Sequence, residues 1–136
     1  MRPSTDSSFI CQMSSGCVYL SQMQFLRGYC ILSFEPVIAS INDLLPEARS
    51  VFLLNMVKIG DAIMKVTDAF RINYGIMGNS HPVLHAHIVP SYMWESEKLR
   101  KGLPWDHPDI FAEATQYDAA NRDQILLDQL RNILQM

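Results

Sequence analysis

Residues 83–89, Val-Leu-His-Ala-His-Ile-Val, carry the feature that most restricts the fold. In an extended backbone side chains two apart share a face, so His85 and His87 project from one wall of a strand. Pro82 and Pro90 bracket the segment and fix where the two rings emerge. Imidazole titrates near neutrality, so either ring suits the role of nucleophile, proton carrier or metal ligand without a large shift. Two lone histidines on a strand are more often ordinary residues, one of them hydrogen-bonded in a core. The preceding loop, Gly78-Asn79-Ser80-His81-Pro82, turns the balance toward chemistry. Gly78 permits close backbone approach, and Asn79 and Ser80 offer amide and hydroxyl groups of the kind that hold phosphate oxygens.

The rest of the chain supplies a scaffold for such a wall. Cys17-Val18-Tyr19-Leu20 and Tyr29-Cys30-Ile31-Leu32-Ser33-Phe34 read as two antiparallel strands beside Gly28, the second ended by Pro36. The period then changes. Phe52, Met56, Ile59, Ile63 and Val66 recur at helical intervals, which predicts one amphipathic helix over about 45–68. Asp43 or a neighbour is its expected cap, with Pro46 in the first turn and Glu47 at the positive end of the dipole. Its apolar stripe is core packing against a sheet. Residues 71–77 and 83–89 read as two further strands around the loop at 78–82. Ile125, Leu126, Leu130, Ile133 and Leu134 predict a short C-terminal helix or a docking surface. Strand, strand, helix, strand, strand implies an α+β architecture with the long helix on an antiparallel sheet. Residues 1–15, rich in Ser and without a period, read as a flexible arm, and 16–136 as a single domain.

Composition narrows the class. A chain of 136 residues with 49% apolar and 18% charged residues forms one domain with a real core. The net charge of −3 argues against gripping a nucleic-acid backbone, while local donors can still hold a small anion. No apolar run reaches the ~20 residues of a bilayer span, and the polar start lacks a signal-peptide core, so the expectation is a cytoplasmic protein with no membrane partner. Cys11, Cys17 and Cys30 form no CxxC pair and suggest neither a disulfide framework nor a zinc knuckle.

The string Gly78-Asn79-Ser80-His81-Pro82-Val83-Leu84-His85-Ala86-His87-Ile88-Val89-Pro90 resembles the signature of the histidine-triad (HIT) superfamily of nucleotide hydrolases and transferases. Leu26-Arg27-Gly28-Tyr29-Cys30-Ile31-Leu32 is similar to that family's Pro-Gly-His strand, and Arg71-Ile72-Asn73-Tyr74 with Gly78-Asn79 and Pro82 looks like a bacterial branch. The resemblance covers about residues 17–108. It implies a sheet of about five strands and attack by the middle histidine, here His85, on the α-phosphorus of a nucleotide ester, anhydride or phosphoramidate, such as a dinucleoside polyphosphate. The product is a covalent nucleotidyl-imidazole that water cleaves. The second ring nitrogen of His85 would be held by the Val83 carbonyl, and His87 would donate to an α-phosphate oxygen or assist the leaving group. Asn79 and Ser80 match positions that contact phosphate and leaving group, and Asn73 and Ser21 fall near positions that approach the nucleoside. A nucleotide substrate, a homodimer and no required cofactor are implied; a divalent metal would enter with the nucleotide.

The departures from the pattern matter as much. Val83 stands in place of the first histidine of the triad. His81 lies one strand repeat earlier, about 6.6 Å away along an ideal strand, and would replace the missing ring only if the loop folds back. Ser91 stands where many relatives carry Arg, Ser21 where an acidic or amide residue commonly holds the ribose, and Tyr29 where many have His. Residues 92–105 read as a solvated loop anchored by Trp105, or as a loop that brings Arg100 or Lys101 over the site, from a second subunit, to a distal phosphate. His107 reads as a loop histidine. Metal binding by His81, His85 and His87 ranks below nucleotide chemistry, because no acidic residue sits among them. Two readings stand: a nucleotide hydrolase or nucleotidyltransferase, and a catalytically weak nucleotide-binding or scaffold protein of the same fold.

Overall fold

A computed structural model describes residues 6–135. Strands β1 (Phe9–Met13), β2 (Gly16–Leu20), β3 (Cys30–Phe34), β4 (Arg71–Gly75) and β5 (His85–Ser91) form one sheet in the order β1-β2-β3-β5-β4, every neighbour antiparallel. The α+β architecture expected from the sequence is the one observed. Helix α1 (Pro46–Val66) covers one face, and a short α2 (Glu97–Lys101) and C-terminal α3 (Gln124–Leu134) follow β5.

Both long helices form where the apolar period places them. Phe52, Met56, Ile59 and Ile63 of α1 meet Val18, Leu20, Leu32, Ala86 and Ile88 of the sheet, and Leu126, Leu127 and Leu130 of α3 close the same core. Burial of such side chains stabilises by about 1.5–3 kcal/mol each, before conformational entropy is set against it. The cap of α1 differs from expectation: Leu45 occupies the N-cap without a side-chain bond, and Asp43 ends a separate 3-10 turn at Ile41–Asp43. Pro46 stands at the first helical position, where its fixed φ suits the helix and its missing N–H would have no intrahelical partner.

The expected arm over 1–15 does not describe residues 9–13. Residues 1–5 lie outside the described residues, and Phe9–Met13 form the edge strand β1, joined to β2 by a tight hairpin. At its end Gly16 lies so close to β3 that an added Cβ would stand 1.9 Å from the Ser33 carbonyl oxygen. The register slips between Phe9 and Cys11. The carbonyl oxygens of Phe9 and Ile10 there accept from the Arg131 guanidinium at 2.8 and 2.7 Å, so α3 holds the bulged edge. Five residues interrupted by a bulge hide the alternation by which a strand is read, which explains why β1 is not evident in the sequence.

The face of the sheet turned away from α1 carries the histidines. Ser33 pairs with His85, Ile31 with His87, and Gly75 with His87 on the other side. Opposed residues in a ladder share a face, so this wall is built by Tyr19, Ile31, Ser33, His85, His87 and Gly75. A second cluster, Phe25, Leu26, Tyr29, Val89, Tyr92 and Ile110, covers one end of the wall and leaves the histidine end open. The three cysteines are buried and unbonded to one another.

Candidate active site

His85 opens β5, and its position is set by the turn before it. The Val83 N–H donates to the His81 carbonyl oxygen at 2.8 Å, a three-residue turn around Pro82 that reverses the loop. The fold-back that His81 needs is therefore present. Its ring centroid lies 5.4 Å from that of His85, which lies 5.0 Å from His87, which lies 5.3 Å from Trp105, each pair edge to face. Three imidazoles stand in a row although Val83 occupies the third strand position.

Hydrogen bonds distinguish the two strand histidines. His85 Nδ1 lies 2.7 Å from the Val83 carbonyl oxygen. A carbonyl only accepts, so Nδ1 carries the proton and the neutral ring keeps its lone pair at Nε2. His87 Nδ1 lies 2.6 Å from the phenol oxygen of Tyr29, whose side chain is fully buried. Burial pushes the Tyr29 phenol up to about 12, with the Trp105 indole and the Ser21 hydroxyl easing it slightly. The His87 ring is pulled down to about 4, first by burial and then by its neighbour His85. It is neutral at physiological pH.

Two clefts meet along the row, and His81, His85 and His87 line both. One, of about 360 Å³, is walled by Tyr19, Leu20 and Ile31, with Asp6, Ser8, Ser21 and Ser33 supplying polar groups. The other, of about 500 Å³, is walled by Met77, Gly78, Asn79, Ser80 and Trp105. The structure thus brings together His81, His85, His87, Asn79, Ser80 and Ser21. Ser21 is almost wholly buried, and its hydroxyl accepts the Met23 N–H at 3.1 Å. Gly78 has open space where a Cβ would be, so close packing does not require it.

Asn73 is not among them. It lies on the histidine face of β4, but Trp105 seats on Gly75, where an added Cβ would stand 3.0 Å from the indole, and divides that face in two. Asn73 falls beyond this partition, its amide donating to the Ser91 hydroxyl at 2.9 Å, in a third cleft with Arg100, Lys101 and Trp105. Arg100 donates to the Glu95 carbonyl oxygen at 3.1 Å and Lys101 pairs with Glu97 at 2.6 Å, so neither lines the histidine clefts. Trp105 anchors its loop as expected, and it is also a wall of the site. His107 packs against Phe25 at 4.9 Å and stands apart. Tyr29 is the contact that sequence reasoning left without a role. Its signal was parity, since Tyr29, Ile31 and Ser33 alternate onto the histidine face. Among the described residues no cluster of three or more His, Cys, Asp or Glu is arranged to hold a metal ion.

A five-stranded antiparallel sheet with a long helix behind it and a strand of alternating histidines is the fold of the histidine triad proteins. At 17% identity and a TM-score of 0.75, a histidine triad protein from Sinorhizobium meliloti matches over 98% of this chain and 96% of its own. A histidine triad protein from Marinobacter aquaeolei matches at 17% identity and a TM-score of 0.72, over 98% of this chain and 93% of its own. A hypothetical histidine triad nucleotide-binding protein from Sulfolobus tokodaii matches at 12% identity and 0.65, over 96% and 85%. No family model and no curated protein matches the chain.

The displaced titration of His87 has a consequence for stability. An unfolded chain's histidine binds its proton near 6.5, whereas the folded ring binds it near 4. Between these values the unfolded state binds more protons, so stability is full above pH 6.5 and is lost as pH falls toward 4. The groups packed on the ring are His85, Tyr29 and Trp105, with His81 and the Asp6 carboxylate lining the shared cleft. Urea unfolding should show a loss on the order of 2 kcal/mol across this window, after discounting for the part-exposed ring, that is absent in His87→Asn. Equal pH slopes in the two proteins would contradict the assignment.

Proposed function

We propose that the protein is a nucleotide hydrolase or nucleotidyltransferase acting at an α-phosphate through a covalent nucleotidyl-His85 intermediate. The observation that carries this reading is the 2.7 Å bond from His85 Nδ1 to the Val83 carbonyl, which leaves the Nε2 lone pair as the nucleophile beside both clefts. His85 Nε2 gives its electron pair to the α-phosphorus, the bond from phosphorus to the leaving group breaks, and that group departs with the bonding pair and gains a proton. Water then attacks the phosphorus, the P–N bond breaks, and the pair returns to Nε2 as the nucleoside monophosphate forms. The Val83 carbonyl stabilises the imidazole while it carries positive charge.

His87 donates to a phosphate oxygen, and His81, on the other side of His85, protonates the leaving group in place of the ring absent at position 83. Asn79 and Ser80 orient the phosphate from the loop, and Ser21 bounds the nucleoside cleft. The base lies in the cleft lined by Leu20 and Ile31, with the Asp6 carboxylate, held by the Ser8 hydroxyl and N–H, toward the ribose hydroxyls. A nucleotide carries its own divalent cation, and the chain supplies no ligand set of its own to this reading. The likeness to the hypothetical histidine triad nucleotide-binding protein of Sulfolobus tokodaii supports the substrate class.

Incubation with a nucleotide or dinucleoside polyphosphate labelled at the α-phosphate should leave label on the protein after denaturation at alkaline pH. His85→Ala should carry none, and His81→Ala should form the adduct about tenfold more slowly, in keeping with loss of one proton donor. A wild type with no adduct and no turnover on several nucleotide classes contradicts the enzyme and leaves the nucleotide-binding or scaffold reading.

The same reading includes a homodimer. Strand β4 stands at the sheet edge with one side unpaired, and beside it α1 exposes Leu53, Leu54, Val57 and Met64. Tyr74 of β4 lies over Gly60 of α1, where an added Cβ would stand 2.2 Å from its hydroxyl, so edge and helix form one surface. Sedimentation should give a dimer at micromolar concentration and a monomer for Val57→Glu. A monomeric wild type contradicts this.

A further inference from the structure

We infer that Tyr29 is a positioning residue that locks His87 in the tautomer with its proton on Nε2, opposite to that of His85, and so fixes which ring donates to the substrate. The inference deepens the proposed reaction and rests on it for its catalytic consequence, while the tautomer itself is a property of the free protein. It begins with a phenol that has no freedom. The Tyr29 carbonyl oxygen accepts from the Ser21 N–H at 2.9 Å and from the Gln24 amide at 2.8 Å, and its N–H donates to the Leu26 carbonyl at 3.1 Å. Its ring meets Phe25 edge to face at 6.3 Å and His87 at 5.8 Å. The side chain is 0% exposed, so its hydroxyl has no water to turn to and must find its partner inside the protein.

That partner is His87 Nδ1 at 2.6 Å. Two protons and two acceptors meet here, and the surroundings decide between them. An indole N–H only donates, and Trp105 sits beside both the phenol and the imidazole. The Ser21 hydroxyl, also a neighbour of the phenol, accepts from the Met23 N–H and has its own proton to give. Both neighbours thus offer protons to the phenol oxygen, and the phenol's own proton is directed to Nδ1. A neutral imidazole accepting at Nδ1 carries its single proton at Nε2. Burial keeps the phenol protonated and the imidazole neutral over the working pH range, so the lock does not depend on a charge.

The two rings of β5, with centroids 5.0 Å apart, are then complementary. His85 presents a lone pair and His87 presents an N–H, and neither can exchange roles while the Val83 carbonyl and the Tyr29 phenol hold their inner nitrogens. A donor that is neutral at rest does not trap the product phosphate as a fixed cation would. Removing the phenol hydroxyl frees His87 to sample both tautomers, and in one of them it presents a lone pair to an anionic phosphate, which repels it.

The test is the ¹⁵N spectrum of the histidine rings in the full-length protein without substrate. The wild type should show His87 as the Nε2–H tautomer and His85 as Nδ1–H, and Tyr29→Phe should show His87 averaged between forms with His85 unchanged. In turnover, Tyr29→Phe should lower kcat about tenfold with KM within about twofold, a split that loss of packing would not give. A wild-type His87 protonated at Nδ1 overturns the inference whatever the variant does, and so does a Tyr29→Phe protein that keeps a pure Nε2–H ring. A locked tautomer in a protein that turns over no nucleotide would instead count against the proposed reaction and leave the lock standing.

Discussion

The pairing of β3 with β5 is the constraint on which the rest depends. It aligns Ser33 with His85 and Ile31 with His87, and because a ladder alternates by one residue it sends Leu32, Ala86 and Ile88 to the opposite side, into the core beneath α1. A slip of one residue would drive two imidazoles into that core and expose its apolar row. The burial that stabilises the fold and the exposure that makes the site are therefore one decision, enforced by several kcal/mol of apolar contact. Glycine at 16 and the Arg131 clasp on β1 serve the same end, since they hold the outer strands that brace β3.

Chemical difference between two identical side chains arises from what stands behind each. A backbone carbonyl behind His85 can only accept, and a buried phenol behind His87 is placed to donate. Neither effect needs a charged partner, which suits the anionic substrate proposed above: a carboxylate in either place would repel phosphate. The cost of burying a titratable ring appears instead as the lowered proton affinity of His87. The loop reversal at His81–Pro82–Val83 brings a third ring to the row without the third strand position.

Legibility in the sequence followed periodicity. Helices α1 and α3 were readable because each repeats an apolar spacing long enough to show period 3.6, and strands β2 to β5 because aromatic and branched residues stand between glycine and proline breaks. Strand β1 was not, because five residues with a bulge carry almost no alternation. In the site, His85, His87 and the loop at 79–81 follow from local order along one strand, and the Val83 carbonyl from the resemblance to the histidine-triad pattern. For Asn73, strand parity gives the face but not the partition, and the partition is made by Trp105, thirty residues beyond Gly75 in sequence on a short 3-10 turn at Pro104–Asp106. Arg100 and Lys101 are held on their own turn within one chain by local partners Glu95 and Glu97. The part of Tyr29 lay within reach of parity and was hidden by its identity, since a tyrosine at the start of a strand reads as core.

The central claim is geometric: a nucleotide's α-phosphorus faces the lone pair of His85. A crystal of the protein soaked with adenosine 5′-monophosphate tests it most directly. The account predicts the base in the cleft between Leu20 and Ile31 and the phosphorus within about 3.5 Å of His85 Nε2, with a phosphate oxygen on His87. A nucleotide seated instead in the cleft of Asn73 and Arg100, with its phosphate turned from His85, would contradict it.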